Sequence, residues 1–158
     1  MYHYKISKYN PKMFENGHYT LDEWTEYSDI GKVFNNQKLT LKDYCVVELN
    51  YINFIKDVID FIKADKFYIK DLEIYECVFW ENRQAINYLQ LEELLKDCLR
   101  NKCWCRIYND NLCICFGYDY YLHICIDIED VIISKITDKY SLFATKMNKD
   151  FCLRQDEK

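Results

Sequence analysis

Tyr121, His123, Cys125 and Asp127 stand at alternate positions of one apolar stretch, which places a thiol, an imidazole and a carboxylate on a single strand face, the inventory of a cysteine-dependent hydrolase. Same-face neighbours on a strand lie about 6.5 to 7 Å apart along the backbone, which does not prearrange the direct hydrogen bond a general base needs. A partly exposed sheet face would display the same residues with no chemistry. Cys103-x-Cys105 and Cys113-x-Cys115 offer a second constellation, four thiols for a zinc ion. If the turn between them holds two residues, Cys103 and Cys105 share a face with Leu112, Ile114 and Phe116, while Cys113 and Cys115 point the other way. Only a three-residue turn would gather all four. Packed, reduced cysteine is the expectation, because Cys is among the most buried residue types. A thiol-dependent enzyme or zinc-binding protein built on the 103–127 strands is the alternative. His3 and His18 fall in no catalytic or metal-ligand spacing, and nucleotide-binding glycine loops are missing from a chain with three glycines. No cofactor is expected.

Two further features concern charge. Glu48 falls inside the apolar arc of a helix, so it needs a partner, and a structural buried acid satisfied by a Lys, Arg or Tyr is expected there. The window from Glu15 to Asp29 carries five acids (Glu15, Asp22, Glu23, Glu26, Asp29) and no Lys or Arg, which accounts for the whole net charge of -5. Tyr19, Trp24 and Tyr27 are interleaved with these acids, a mixture of large anchors and like-sign charge that suits a basic protein partner. The expected partner-binding set is Asp22, Glu23, Trp24, Glu26, Tyr27 and Asp29, with Tyr118, Asp119 and Tyr120 of a tyrosine-rich turn as a second patch. The plainer alternative is a solvated loop whose aromatics tuck back onto the core.

These residues need elements to hold them. Tyr2, Tyr4 and Ile6 alternate with polar neighbours as in a strand, and 10–39 reads as a long connector carrying the only proline and two of the glycines. Thr40 and Asp43 form a near capping box for a helix with apolar residues from Tyr44 to Ile62 at spacings of three and four. Phe67 to Tyr75 reads as a strand whose phase slips near Lys70 and Asp71, as at a bulge. Asn87 and Gln90 cap a second helix ending near Asn101; Cys103–Tyr108 and Leu112–Phe116 form a hairpin; Tyr120–Asp127 follows as a third strand. Asp127 is the expected cap of a short helix through Ile136, and a last strand covers Ser141–Met147. The fold class is therefore α+β, a mainly antiparallel sheet with about three helices chiefly covering one face, in a single domain over 1–154 with a polar tail at 155–158.

Composition sets the outer limits. With 158 residues, 50% hydrophobic and 17% aromatic, the chain has enough burial-seeking surface to fold as one domain. A net negative charge without clustered Lys and Arg argues against nucleic-acid binding. No membrane association is expected, since no stretch reaches roughly 18 apolar residues and the start lacks a signal-peptide core. A cytoplasmic protein with reduced thiols follows as an expectation, and an exposed edge strand would allow a homodimer.

The fragments Trp24-Thr25-Glu26-Tyr27-Ser28-Asp29-Ile30-Gly31, Tyr4-Lys5-Ile6-Ser7-Lys8-Tyr9-Asn10-Pro11 and Phe116-Gly117-Tyr118-Asp119-Tyr120-Tyr121 resemble those of small bacterial proteins associated with immunity in polymorphic and contact-dependent toxin systems. The resemblance implies a non-enzymatic cytosolic binder that neutralises a cognate protein toxin, and it transfers no catalytic residue. An acidic, aromatic surface would steer association with a basic nuclease and occupy its phosphate-binding cleft.

Overall fold

Period-two alternation in the opening residues makes β1 (Tyr2–Ser7), with Tyr4 and Ile6 turned into the core. The computed structural model describes residues 1–148, so the expected tail at 155–158 lies outside the described residues. Between β1 and the first helix the chain is more ordered than a plain connector. Two tight hairpins form, β2 (Phe14–Glu15) with β3 (His18–Tyr19) and β4 (Val33–Phe34) with β5 (Gln37–Lys38). Their turns are Asn16-Gly17 and Asn35-Asn36, all four at positive φ, the backbone that a two-residue turn of right-handed twist demands and that Asn and Gly tolerate.

α1 (Leu41–Ile62) opens with a full capping box: the Asp43 amide donates to the Thr40 hydroxyl and the Asp43 carboxylate accepts from the Thr40 amide. Its buried stripe, including Tyr44, Tyr51, Ile55 and Val58, lies along the sheet. β6 (Lys66–Ile74) follows with its register shifted between Lys70 and Glu73, where Asp71 sits at φ 54°, the bulge expected from the phase slip. After an irregular excursion come β7 (Ala85–Asn87) and α2 (Tyr88–Leu99), the latter capped by Asn87 and Gln90. β8 (Cys103–Asn109) and β9 (Leu112–Phe116) form a hairpin, β10 (Leu122–Ile126) continues it, and α3 (Asp130–Lys139) leads to β11 (Phe143–Lys146). Asp127 does not cap α3; Glu129 stands at that position without a side-chain bond, because Ile128 is drawn into the core and moves the helix start on.

The large strands make one antiparallel sheet in the order β11-β1-β10-β9-β8-β6-β7. Side-chain parity decides what each face carries. Ile6, Phe67, Ile69, Ile107, Ile114 and Ile124 join the buried residues of all three helices in one cluster, an α+β fold with the helices on one face. His3, Cys113, Cys115, His123, Cys125 and Arg106 belong to the opposite face, by alternation. No helix among the described residues is long and apolar enough to cross a membrane.

Candidate functional site

The 22–29 stretch turns Trp24 and Asp29 inward and leaves Asp22, Glu26 and Ser28 exposed. Trp24 is 6% exposed, with its ring 5.3 Å from that of Tyr44 and 5.0 Å from that of Tyr120, and the Lys8 ammonium lies 3.8 Å from its centroid. The Trp24 carbonyl accepts from Lys8 Nζ at 2.6 Å and from the Tyr9 hydroxyl at 3.1 Å. Burial lowers the Lys8 pKa to about 8, against the opposing pull of Glu23, its ion-pair partner at 3.0 Å. Trp24 is therefore a core residue and supplies no surface anchor. Tyr27 is half-buried, with Tyr44 5.0 Å away on one side and the Arg100 guanidinium 5.6 Å away on another.

The acids of this window separate into different roles. Asp29 is buried and accepts from the Thr25 and Glu26 amides and from Lys32 Nζ at 2.7 Å. Burial pushes its carboxyl upward, yet the Lys32 bond and the amides outweigh that and hold it below the usual range. Glu23 is committed to Lys8, and Asp22 accepts from the Asn35 amide. Glu26 lies beside open space, one carboxylate oxygen accepting from the Ser28 hydroxyl and the other taking a long 3.4 Å bond from Asn101. Because Lys8 and Lys32 lie outside the 15–29 window, a count of charges within it misses their neutralising effect.

Tyr120 was expected at the surface and is instead buried, at φ 64°. A bulky residue in that left-handed region is strained, and a chain of hydroxyls over-determines it. The Lys8 amide donates to the Tyr51 hydroxyl, which donates to the Tyr120 carbonyl at 2.9 Å; the Tyr120 hydroxyl donates to that of Tyr44, which donates to the Leu99 carbonyl. This chain ties β1, α1, the 117–121 turn and the end of α2 together. Its consequence is a turn that holds Tyr118 (93% exposed) and Asp119 out in solvent. Gly117 at the base of the turn lets the backbone approach His123 closely, since a Cβ there would meet Nε2 at 3.1 Å and the imidazole would have to give way.

A cleft of about 600 Å³ opens between this turn, the Thr25–Glu26 and Asn101 backbone, and the end of β6. Its rim carries Glu26, Glu73 and Asp119, and among the described residues no ion pair joins any of these to a Lys or Arg. Arg106 also lines it, with its guanidinium held by Asp71. Tyr75, 60% exposed, and Tyr118 stand on the rim, and the Tyr75 hydroxyl donates to Glu73 at 2.8 Å. On the floor, the Trp104 indole N–H is bonded to the Phe116 carbonyl at 2.7 Å. Rim acids and exposed phenol rings together match a cationic side chain, through charge and through the negative faces of the rings.

Glu48 is buried and gripped by Arg100, whose Nε and terminal nitrogen reach its two oxygens at 2.7 Å each. Since Arg100 also faces Tyr27 and precedes Asn101, this pair fixes the wall of the cleft from behind. The four-thiol zinc arrangement does not form: Asn109 pairs with Leu112 and Arg106 with Cys115, a two-residue turn that sends Cys103 and Cys105 to the helix-covered face and Cys113 and Cys115 to the other. Among the described residues no group of His, Cys, Asp and Glu has metal-holding geometry. His123 and Cys125 of β10 share the face away from the helices, Tyr121 just before the strand lies against Lys5 of that same face, and Asp127 follows the strand's end. Within β10, burial and the neighbouring His3 and Lys5 lower His123 to about 4, and its ring meets that of His3 edge-on at 5.9 Å. Glu73 and Tyr75, missed by sequence reasoning, had only the bulge after Lys70 to signal that the strand end turns back toward the hairpin. Comparison with family models, curated proteins and solved structures finds no match to this chain.

Proposed function

We propose that the protein is a non-enzymatic binder of a basic protein, of the toxin-neutralising kind implied by the sequence resemblance, and that its binding surface is the cleft rather than the 22–29 window. The observation that carries this reading is the cleft rim: Glu26, Glu73 and Asp119 outside any ion pair with a described Lys or Arg, with Tyr75 and Tyr118 projecting beside them. A Lys or Arg of the partner enters between the carboxylates, its stem covered by the phenol rings. Rim charges act chiefly on the association rate and on salt sensitivity, whereas the aromatic anchors act on residence time. Tyr118 is suited to this role because a tyrosine supplies large contact area with few torsions to immobilise.

The test is co-expression with the product of the adjacent upstream gene, followed by purification through a tag on one partner. A stoichiometric complex at low salt that dissociates as salt rises supports the reading. Absence of a complex at low salt, with both proteins folded, defeats it.

A further inference from the structure

The helix-side floor of the cleft holds a thiol cluster that the binding reading does not use. Cys98 is on the last turn of α2, and Cys103 and Cys105 stand two apart on β8, facing it. Cys98 Sγ lies 3.8 Å from Cys103 Sγ and 3.7 Å from Cys105 Sγ, and all three residues are buried. A tight connection produces this arrangement. The Asn101 amide donates to the Cys98 carbonyl, Asn101 takes φ 57°, and the Lys102 amide donates back to the Asp97 carbonyl. Cys98 and Cys103 both line the cleft, whereas Cys105 does not.

We propose that Cys98 and Cys103 are a redox-modification pair that closes to a disulfide when a hydroperoxide enters the cleft. The two sulfurs are already in van der Waals contact at 3.8 Å and must approach further to reach the roughly 2.05 Å of an S–S bond. The Cys103 sulfur attacks the outer oxygen of the hydroperoxide; the O–O bond breaks, leaving a sulfenic acid on Cys103, and the departing alkoxide takes the Cys103 thiol proton to leave as an alcohol, or as water when the oxidant is hydrogen peroxide. The Cys98 sulfur then attacks the Cys103 sulfur, the S–O bond breaks, and the departing hydroxide takes the Cys98 proton to become water. In sum, two thiols and one hydroperoxide give one disulfide, one alcohol and one water. The division of labour agrees with the surroundings: the Cys98 thiol bonded to Cys103 holds it below the usual thiol range, while burial pushes Cys98 well above it.

The experiment treats the reduced full-length protein with hydrogen peroxide, blocks remaining thiols with N-ethylmaleimide, and maps peptides by mass spectrometry under non-reducing conditions. The expected result is a linked peptide joining Cys98 to Cys103, lost on treatment with a reductant, still formed in Cys105→Ala and lost in Cys103→Ala. In Cys98→Ala, dimedone traps the sulfenic acid on Cys103. A wild-type protein in which exposed Cys77 is oxidised and the Cys98–Cys103 link is missing overturns the proposal, as does a link from Cys98 to Cys105 instead. The wild-type arm stands even if a variant fails to fold, and none of these readouts depends on a protein partner.

Discussion

Replacing Arg100 with Met should be among the most damaging single changes away from the apolar core, and its asymmetry with Glu48→Met tests why. The two side chains are unequally buried: Glu48 is 2% exposed and Arg100 27% exposed. Removing Arg100 strands a carboxylate with no route to water, a situation that costs about 3 to 5 kcal/mol. Removing Glu48 leaves a guanidinium that can still reach solvent and the Tyr27 face, so the cost is about 1 to 2 kcal/mol. The double variant replaces the pair with apolar groups of similar length and should lie within about 1 kcal/mol of the wild type, because a buried pair contributes little beyond its own desolvation. For a domain of this size the Arg100→Met loss lowers Tm by roughly 10 °C. Urea unfolding followed by the fluorescence of Trp24, Trp80 and Trp104 gives all four corners of the cycle. Equal, additive losses below about 1 kcal/mol for the single variants would refute the reasoning, since uncoupled surface groups behave that way.

Other consequences are as specific. Lys8 is depressed in the fold to about 8 from 10.5, so the unfolded chain binds more protons between those values, and stability should rise with pH from about 8 toward 10. Urea midpoints across that range should show the rise in the wild type and not in Lys8→Met. Burial holds the Tyr44, Tyr51 and Tyr120 hydroxyls above the usual tyrosine range of 10.0; their stabilising effect is complete below that pH and is lost above it. A cooperative alkaline transition should therefore appear together with tyrosinate absorbance. Gly117→Ala presses a methyl group against His123 and should cost about 1 to 3 kcal/mol, read by thermal unfolding. Tyr120→Phe removes the bond to Tyr44 while Tyr44 keeps Leu99, so the loss should be about 1 kcal/mol by urea unfolding.

What the sequence discloses is local. The Thr40–Asp43 and Asn87–Gln90 caps, the bulge at Asp71 and the hairpin around Asp110-Asn111 each depend on residues a few positions apart, and each takes the form their types require. The 16–17 and 35–36 hairpins turn on Asn-Gly and Asn-Asn, but their strands are too short to show alternation, so 10–39 reads from the sequence as a connector. Trp24 could not be placed from its neighbours. It stands among acids, and it is buried because Tyr44, Tyr120 and Lys8 converge on it from three other elements. The cleft was hidden for the same reason, since Glu26, Glu73 and Asp119 are far apart in the chain and come to line one cleft only when the sheet and its loops assemble. Pairing across such distances is decided by the packing of the whole core and leaves no local pattern.

Binding through the cleft depends on the charge and rings of its rim. It is tested most directly by calorimetric titration of the adjacent gene's product with the wild-type protein and with Glu26→Gln/Glu73→Gln/Asp119→Asn, over a series of salt concentrations. Weaker binding and a shallower salt dependence are expected in the triple variant, with a larger loss when Tyr118→Ala is added. Binding of unchanged affinity and salt dependence in the triple variant would contradict it.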